Sequence, residues 1–225
     1  LCTTTTIQLS TFCFGLCSTT SDMKFFIRYS VLLLAFCVMI GHVSAGGDAA
    51  LDFQYSANGV YSDRSQVSSE GFLQPKRDLI SLKYVPITMK ILQGRVTYFE
   101  EMLNGVVYRR HLWQISSINN KVNVVIYNFT SSVSADSDLN ATVAAITKED
   151  LYGDTDNPAS FTELPDGIFE GAVSDYRDSS KSMHPAFHCT FTCNTLIIGV
   201  PAVAVEATDQ GSYVFTRVKD RFPIP

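Results

Sequence analysis

Asn104-Gly105 lies between two runs rich in Tyr, Phe, Val and Ile, and no other feature of the chain constrains the fold as tightly. An Asn-Gly dipeptide accepts the positive φ angles of a type I′ turn, the two-residue connection whose twist matches that of paired antiparallel strands. A hairpin closed there sets Leu103 opposite Val106, Met102 opposite Val107 and Glu100 opposite Arg109. Further out it sets Tyr98 opposite His111 and Val96 opposite Trp113. Side chains alternate along a strand, so Tyr98, Glu100, Arg109, His111 and Trp113 are expected on one shared face. That face is apolar at its ends (Val96, Trp113, Met102, Val107) and polar between them. Such a surface suits a barrel interior that receives a ligand with both rings and carboxylates. The opposite face carries Arg95, Glu101, Arg110 and Gln114 and is expected outside. The competing reading is an ordinary exposed Glu–Arg pair, which contributes under about 1 kcal/mol.

The hairpin belongs to a longer β pattern. Strand signals cover Leu79–Val85, Gln93–Met102, Val106–Ser116, Lys121–Thr130, Ile168–Val173, Phe187–Val200, Ala202–Ala207 and Tyr213–Val218, each bounded by turn residues. Residues 46–77 read as a short helical entry or a loosely packed arm. The polar segment 131–167 holds one capped helical turn, Thr147–Leu151. Eight or nine short strands without a long amphipathic helix predict an antiparallel barrel or sandwich. The 46% hydrophobic and 17% charged fractions exclude a disordered chain. A net charge of −5 argues against a nucleic-acid partner, whose phosphates need a basic face.

Upstream of this pattern, Met23 is followed by basic Lys24 and Arg28, an apolar run Val31–Ile40, and Val43-Ser44-Ala45 before Gly46. That order predicts a secretory signal peptide over 23–45, and the run is well short of the roughly 20 residues a membrane span needs. Residues 1–22 read as upstream or truncated sequence outside the domain, and 46–225 as a single domain, secreted and extracellular, with no membrane attachment after cleavage. Cys2, Cys13, Cys17 and Cys37 fall upstream, so Cys189 and Cys193 remain. Asn128-Phe129-Thr130 and Asn140-Ala141-Thr142 are sequons, which on a secretory route predicts glycosylated Asn128 and Asn140 at exposed positions.

His184, His188, Cys189 and Cys193 lie within ten residues, a composition that invites zinc. Alternation points His188 away from Cys189, however, so no metal site is expected. An oxidising compartment favours a disulfide between Cys189 and Cys193. Residues four apart in a strand are about 13 Å apart, so that bridge requires a bulge or turn between them. The acidic cluster Asp150, Asp154, Asp156 lacks calcium-loop order. No phosphate-binding loop, nucleophile elbow or metalloprotease helix motif is present.

Tyr98-Phe99-Glu100-Glu101-Met102 followed by Asn104-Gly105-Val106-Val107-Tyr108-Arg109-Arg110-His111 resembles the central signature of the CpcT/CpeT chromophore-lyase family. There a strand ending Tyr-x-Glu-Gln-Ala turns into Tyr-Arg-x-Arg. Leu82–Ile87, Thr147–Leu151 and Tyr213–Arg217 resemble further elements of that family, in order, over roughly 79–218. The resemblance implies an antiparallel, calyx-like β-barrel of about 8–10 strands with few short helices, and a bilin or other tetrapyrrole as ligand, biliverdin being the model compound. Tyr98, Glu100, Tyr108 and Arg109 match its motif. His111 replaces the second arginine, Glu101 stands where glutamine is usual, and the cysteine expected near Tyr152-Gly153-Asp154 is missing. The expected function is therefore a secreted barrel that binds a small amphipathic ligand, with Tyr98, Glu100, Arg109, His111 and Trp113 as binding residues and no obligatory cofactor. The alternatives are a lyase that attaches a bilin to a protein cysteine, and a secreted structural or defence protein without a ligand. A homodimer is compatible with each.

Overall fold

Asn104 (φ 51°) and Gly105 (φ 84°) form the expected turn between β3 (Arg95–Leu103) and β4 (Val106–Ile118). A second two-residue turn follows at Asn119 (φ 52°) and Asn120 (φ 61°), because asparagine tolerates the left-handed region better than most residues. It leads into β5 (Lys121–Phe129). This computed structural model describes residues 47–70, 78–130, 139–174, 176–177, 183–184, 186–199 and 212–225. The expected signal peptide, the residues before it and the expected strand at 202–207 lie outside the described residues.

The other strands are β1 (Gly59–Ser62), β2 (Ile80–Ile87), β6 (Leu151–Gly153), β7 (Ala159–Leu164) and β8 (Ile168–Val173). A separate ribbon pairs β9 (Tyr176–Arg177) with β10 (Met183–His184). The chain then forms β11 (Phe187–Phe191), β12 (Thr195–Gly199) and β13 (Tyr213–Lys219). In the main sheet the order is β4-β3-β2-β1-β13-β12-β11-β8-β7-β5, and β5 pairs back onto β4. The result is a closed, ten-stranded antiparallel β-barrel with a few short helices, as the strand pattern implies. β6 extends β5 beyond the stretch that pairs with β7.

The expected single strand 187–200 is two. Thr192 Oγ1 accepts from the backbone N–H of Thr195 (2.9 Å) and Asn194 (3.3 Å), a side-chain turn that reverses the chain between β11 and β12. β7 was hidden in a polar segment because only Ala159 and Phe161 face the core there. The capped turn is present: Asp150 Oδ2 accepts from Thr147 N (2.9 Å) and Oγ1 (2.8 Å) at the ends of a 3-10 turn.

One end of the barrel is floored by helix α1 (Ala49–Ala57). Asp48 caps it, accepting from Ala50 N and Leu51 N and pairing with Arg95 at 2.8 Å. Phe53 is fully buried, with ring centroids 4.6, 5.3 and 5.5 Å from Phe161, Phe169 and Phe191. Gln54 Nε2 donates to Val96 O and Thr97 Oγ1. Beneath the helix, Tyr61 donates its hydroxyl proton to Ser56 O (2.9 Å), and the Arg217 guanidinium lies 4.6 Å from its ring centroid.

Burial pushes the Tyr61 phenol up to about 12, against the opposing pull of the Arg217 charge. Burial likewise pushes the Cys189 thiol up to about 12. A group whose folded pKa is raised contributes stability that is complete below its unfolded value and is lost as pH climbs through the folded value. The barrel should therefore lose roughly 3 kcal/mol from Tyr61 between about pH 10 and pH 12, and roughly 4 kcal/mol from Cys189 between about pH 9 and pH 12. Alkaline denaturation followed by tyrosinate absorbance should show part of the tyrosine signal appearing only with unfolding. Tyr61→Phe should move that transition to higher pH; an unmoved transition would mean that Tyr61 is not its source.

A second apolar cluster lies on the outer surface of β2–β5. Val96, Tyr98 and Leu112 pack there with Met89, Leu92 and Ile146. Helix α2 spans Arg64–Ser69 and α3 spans Leu139–Ala145; Leu139 and Val143 of α3 pack against this cluster. β3 is thus buried on both faces from Val96 to Glu100.

Candidate site in the barrel interior

The β3–β4 register departs from the regular hairpin. Leu103 pairs with Val106 and Met102 with Val107, but Glu101 then pairs with Arg109, leaving Tyr108 as an extra residue. This bulge sets Glu100 opposite Arg110, Phe99 opposite His111 and Thr97 opposite Trp113. A one-residue shift exchanges faces along a strand, so the expected five-residue face is split. Arg109, His111 and Trp113 line the interior with Phe99 and Glu101, while Tyr98 packs in the outer cluster. Glu100 joins Tyr98 outside, accepting from Tyr98 Oη (2.7 Å) and Arg110 Nε (3.2 Å), with Lys83 Nζ at 4.0 Å. Burial and the adjoining Glu100 carboxylate raise the Tyr98 pKa, so that phenol stays neutral. Polarity misassigned the faces because the outer one is covered by its own apolar cluster.

Deleting Tyr108 would leave an unbroken ladder with the Asn-Gly turn and the Glu101–Arg109 pairing unchanged. The deletion variant should fold, with stability altered by no more than about 1 kcal/mol. Failure of the variant to fold in thermal denaturation would show that the bulge itself is required.

The interior residues surround a cavity of about 250 Å³, to whose lining α1 contributes no residue. One wall is aromatic. Phe99 lies between His111 (5.5 Å, 15°) and Trp113 (5.8 Å, 21°), and Tyr84 meets the indole edge-on at 5.1 Å. Phe191 lies below, and Leu82, Ile126, Leu196 and Ile198 supply aliphatic wall. At the hairpin end stands one ion pair, Arg109 Nε to Glu101 Oε2 at 2.6 Å, with side chains 28% and 13% exposed. His111 is 4% exposed and lies opposite Asn128 in the β4–β5 ladder.

Two further expectations are corrected here. Cys189 points into the cavity as a free, buried thiol, so the Cys189–Cys193 bridge is not made. The chain is extended from Phe187 to Phe191 and turns only at Thr192, which keeps Cys193 out of reach. His188 faces outward and is exposed, as alternation requires. Asn128 is 5% exposed within β5, so its sequon lies inside the fold instead of on the surface a glycan needs. Asn140 falls in α3, and its side chain lies outside the described residues. Sequence reasoning missed Glu101, Phe99, Tyr84 and Cys189 as cavity residues; the alternation of Phe187, Cys189 and Phe191 is the signal that could have placed the thiol inside.

Fold and site together define a closed antiparallel barrel, floored at one end, with an aromatic-walled interior and, among the described residues, the Glu101–Arg109 ion pair beside the cavity. The chain matches no protein-family model, and a search of curated proteins finds no match.

Proposed function

We propose that the barrel is a secreted binding protein for a small amphipathic ligand with a flat aromatic or conjugated body, a bilin or other tetrapyrrole being the class that the hairpin motif implies. The carrying observation is the cavity itself: apolar and aromatic walls with one Glu101–Arg109 pair match the usual composition of small-molecule sites, mostly apolar with few polar groups. At about 250 Å³ it sits just under the roughly 300–1,000 Å³ of typical ligand pockets. An extended tetrapyrrole would therefore seat one end there. Arg109, His111 and Trp113 remain binding residues in this reading, joined by Phe99 and Glu101; Tyr98 and Glu100 act from the outer face as support. Cys189 serves as wall and not as a tether, since its thiol is held protonated at neutral pH and the thiolate is the nucleophile.

Trp113 is the single tryptophan of the chain and reports directly on the cavity. Titration with biliverdin should quench its fluorescence saturably, with a matching change in the visible band of the pigment. Absence of both changes would overturn the reading. N-terminal sequencing of secreted material should begin at or near Gly46.

A further inference from the structure

We propose that the occupant of this cavity presents an uncharged carbonyl oxygen to the indole N–H of Trp113, so that it is a flat conjugated carbonyl compound and not a plain aromatic hydrocarbon. The inference rests on the binding reading above and adds the polar contact that would orient the ligand. Trp113 lines the cavity and is 5% exposed. Its Nε1 is buried and meets no acceptor among the described residues. An indole nitrogen can only donate, and buried tryptophans ordinarily find a partner for that proton. An unmet buried donor carries the full desolvation penalty of the group, which an acceptor on the ligand would remove.

The surroundings of the indole select the acceptor. Its described ring neighbours are Tyr84 edge-on at 5.1 Å, Phe99 stacked at 5.8 Å and Phe191 edge-on at 6.4 Å. A carboxylate brought against such walls would give up its hydration for one neutral donor, whereas a carbonyl oxygen gives up far less. An ammonium has donors only and would meet another donor. Because the N–H lies in the plane of the indole, the oxygen must approach the ring edge, leaving a face to Phe99. A carbonyl conjugated to a ring is planar and holds its oxygen at the rim of an apolar body. That body then fills the space walled by Leu82, Ile126, Leu196 and Ile198, with the single polar contact fixing its orientation.

Trp113 is the single tryptophan of the chain, so the protein labelled with nitrogen-15 shows one indole N–H resonance. Titration compares 2-acetylnaphthalene with 2-isopropenylnaphthalene, in which a methylene group replaces the carbonyl oxygen on the same two-ring body. The ketone should move the indole proton downfield of its position in the alkene complex and slow its exchange with solvent. In Trp113→Phe the affinity ratio of ketone to alkene should fall about tenfold, the effect of one hydrogen bond to an otherwise unmet donor. A purely structural loss would weaken both probes alike and leave the ratio unchanged. The wild-type resonance decides the matter even if the variant fails to fold. The same indole shift in both complexes, an unchanged ratio, or binding of the alkene alone overturns the acceptor assignment and leaves the cavity reading standing. So does binding of biliverdin when neither naphthalene binds. If neither biliverdin nor either probe binds, the binding reading itself falls.

Discussion

Phe53→Ala should destabilise the barrel by about 4 kcal/mol, the usual range for removing a fully buried phenylalanine being about 3–5. Phe53 is 0% exposed and touches three other core rings. No neighbour can move to fill the gap without breaking a ladder, because Phe161, Phe169 and Phe191 are each held in a paired strand. One of those rings, Phe191, also lines the cavity, so the loss of Phe53 should extend the empty space toward the floor. Denaturant unfolding measures the stability change. A cost below about 1 kcal/mol would mean that α1 is not the floor of the core.

Gly171→Ala should cost about 3 kcal/mol or more, at the upper end for overpacking. Gly171 pairs with Phe161 on one side and Cys189 on the other. A Cβ there would fall against the backbone oxygen of Ser160 and within 2.8 Å of the Phe161 ring. The backbone cannot yield without parting β7 from β8. Gly199→Ala is the matched control: among the described residues its Cβ would meet only Ser212 Oγ, at 3.6 Å, and stability should change by no more than about 0.5 kcal/mol. Equal melting temperatures for the two variants would contradict the close approach of β7 to β8.

These two positions mark how far the sequence can be read. The strand at Ile168–Val173 is legible from its composition, but nothing in the sequence says that a ring lies across the glycine within it. Residues 46–77 read from the sequence as either a short helical entry or a loosely packed arm, whereas the role of Phe53 as the centre of the floor depends on contacts over a hundred residues away. The Asn104-Gly105 turn was legible because it is a local event, set by two backbone conformations. What the turn could not reveal was the bulge four residues on, since Tyr108 is extra only relative to its partner strand. That single residue moved Tyr98 and Glu100 outside and brought Glu101 in. The aromatic partners Trp113 and His111 survived the shift because they lie on the strand whose own alternation already pointed them at the core.

The seam of the barrel gives it a particular order of assembly. The β3–β4 and β4–β5 pairings join neighbours through two-residue turns, but the pairing of β1 with β13 joins the two extremities of the described chain. Asn58 clasps the same place, donating to Phe222 O at 2.7 Å and accepting from Phe222 N at 3.0 Å. On the ribosome, where synthesis runs from the N-terminus, the first strand must wait for the last one to emerge. Until then the molecule is an unclosed sheet, with β1 paired on one side alone. Loss of β13 would thus leave a polypeptide whose ring never shuts, exposing the backbone edges of β1 and β12 as templates for pairing with other chains.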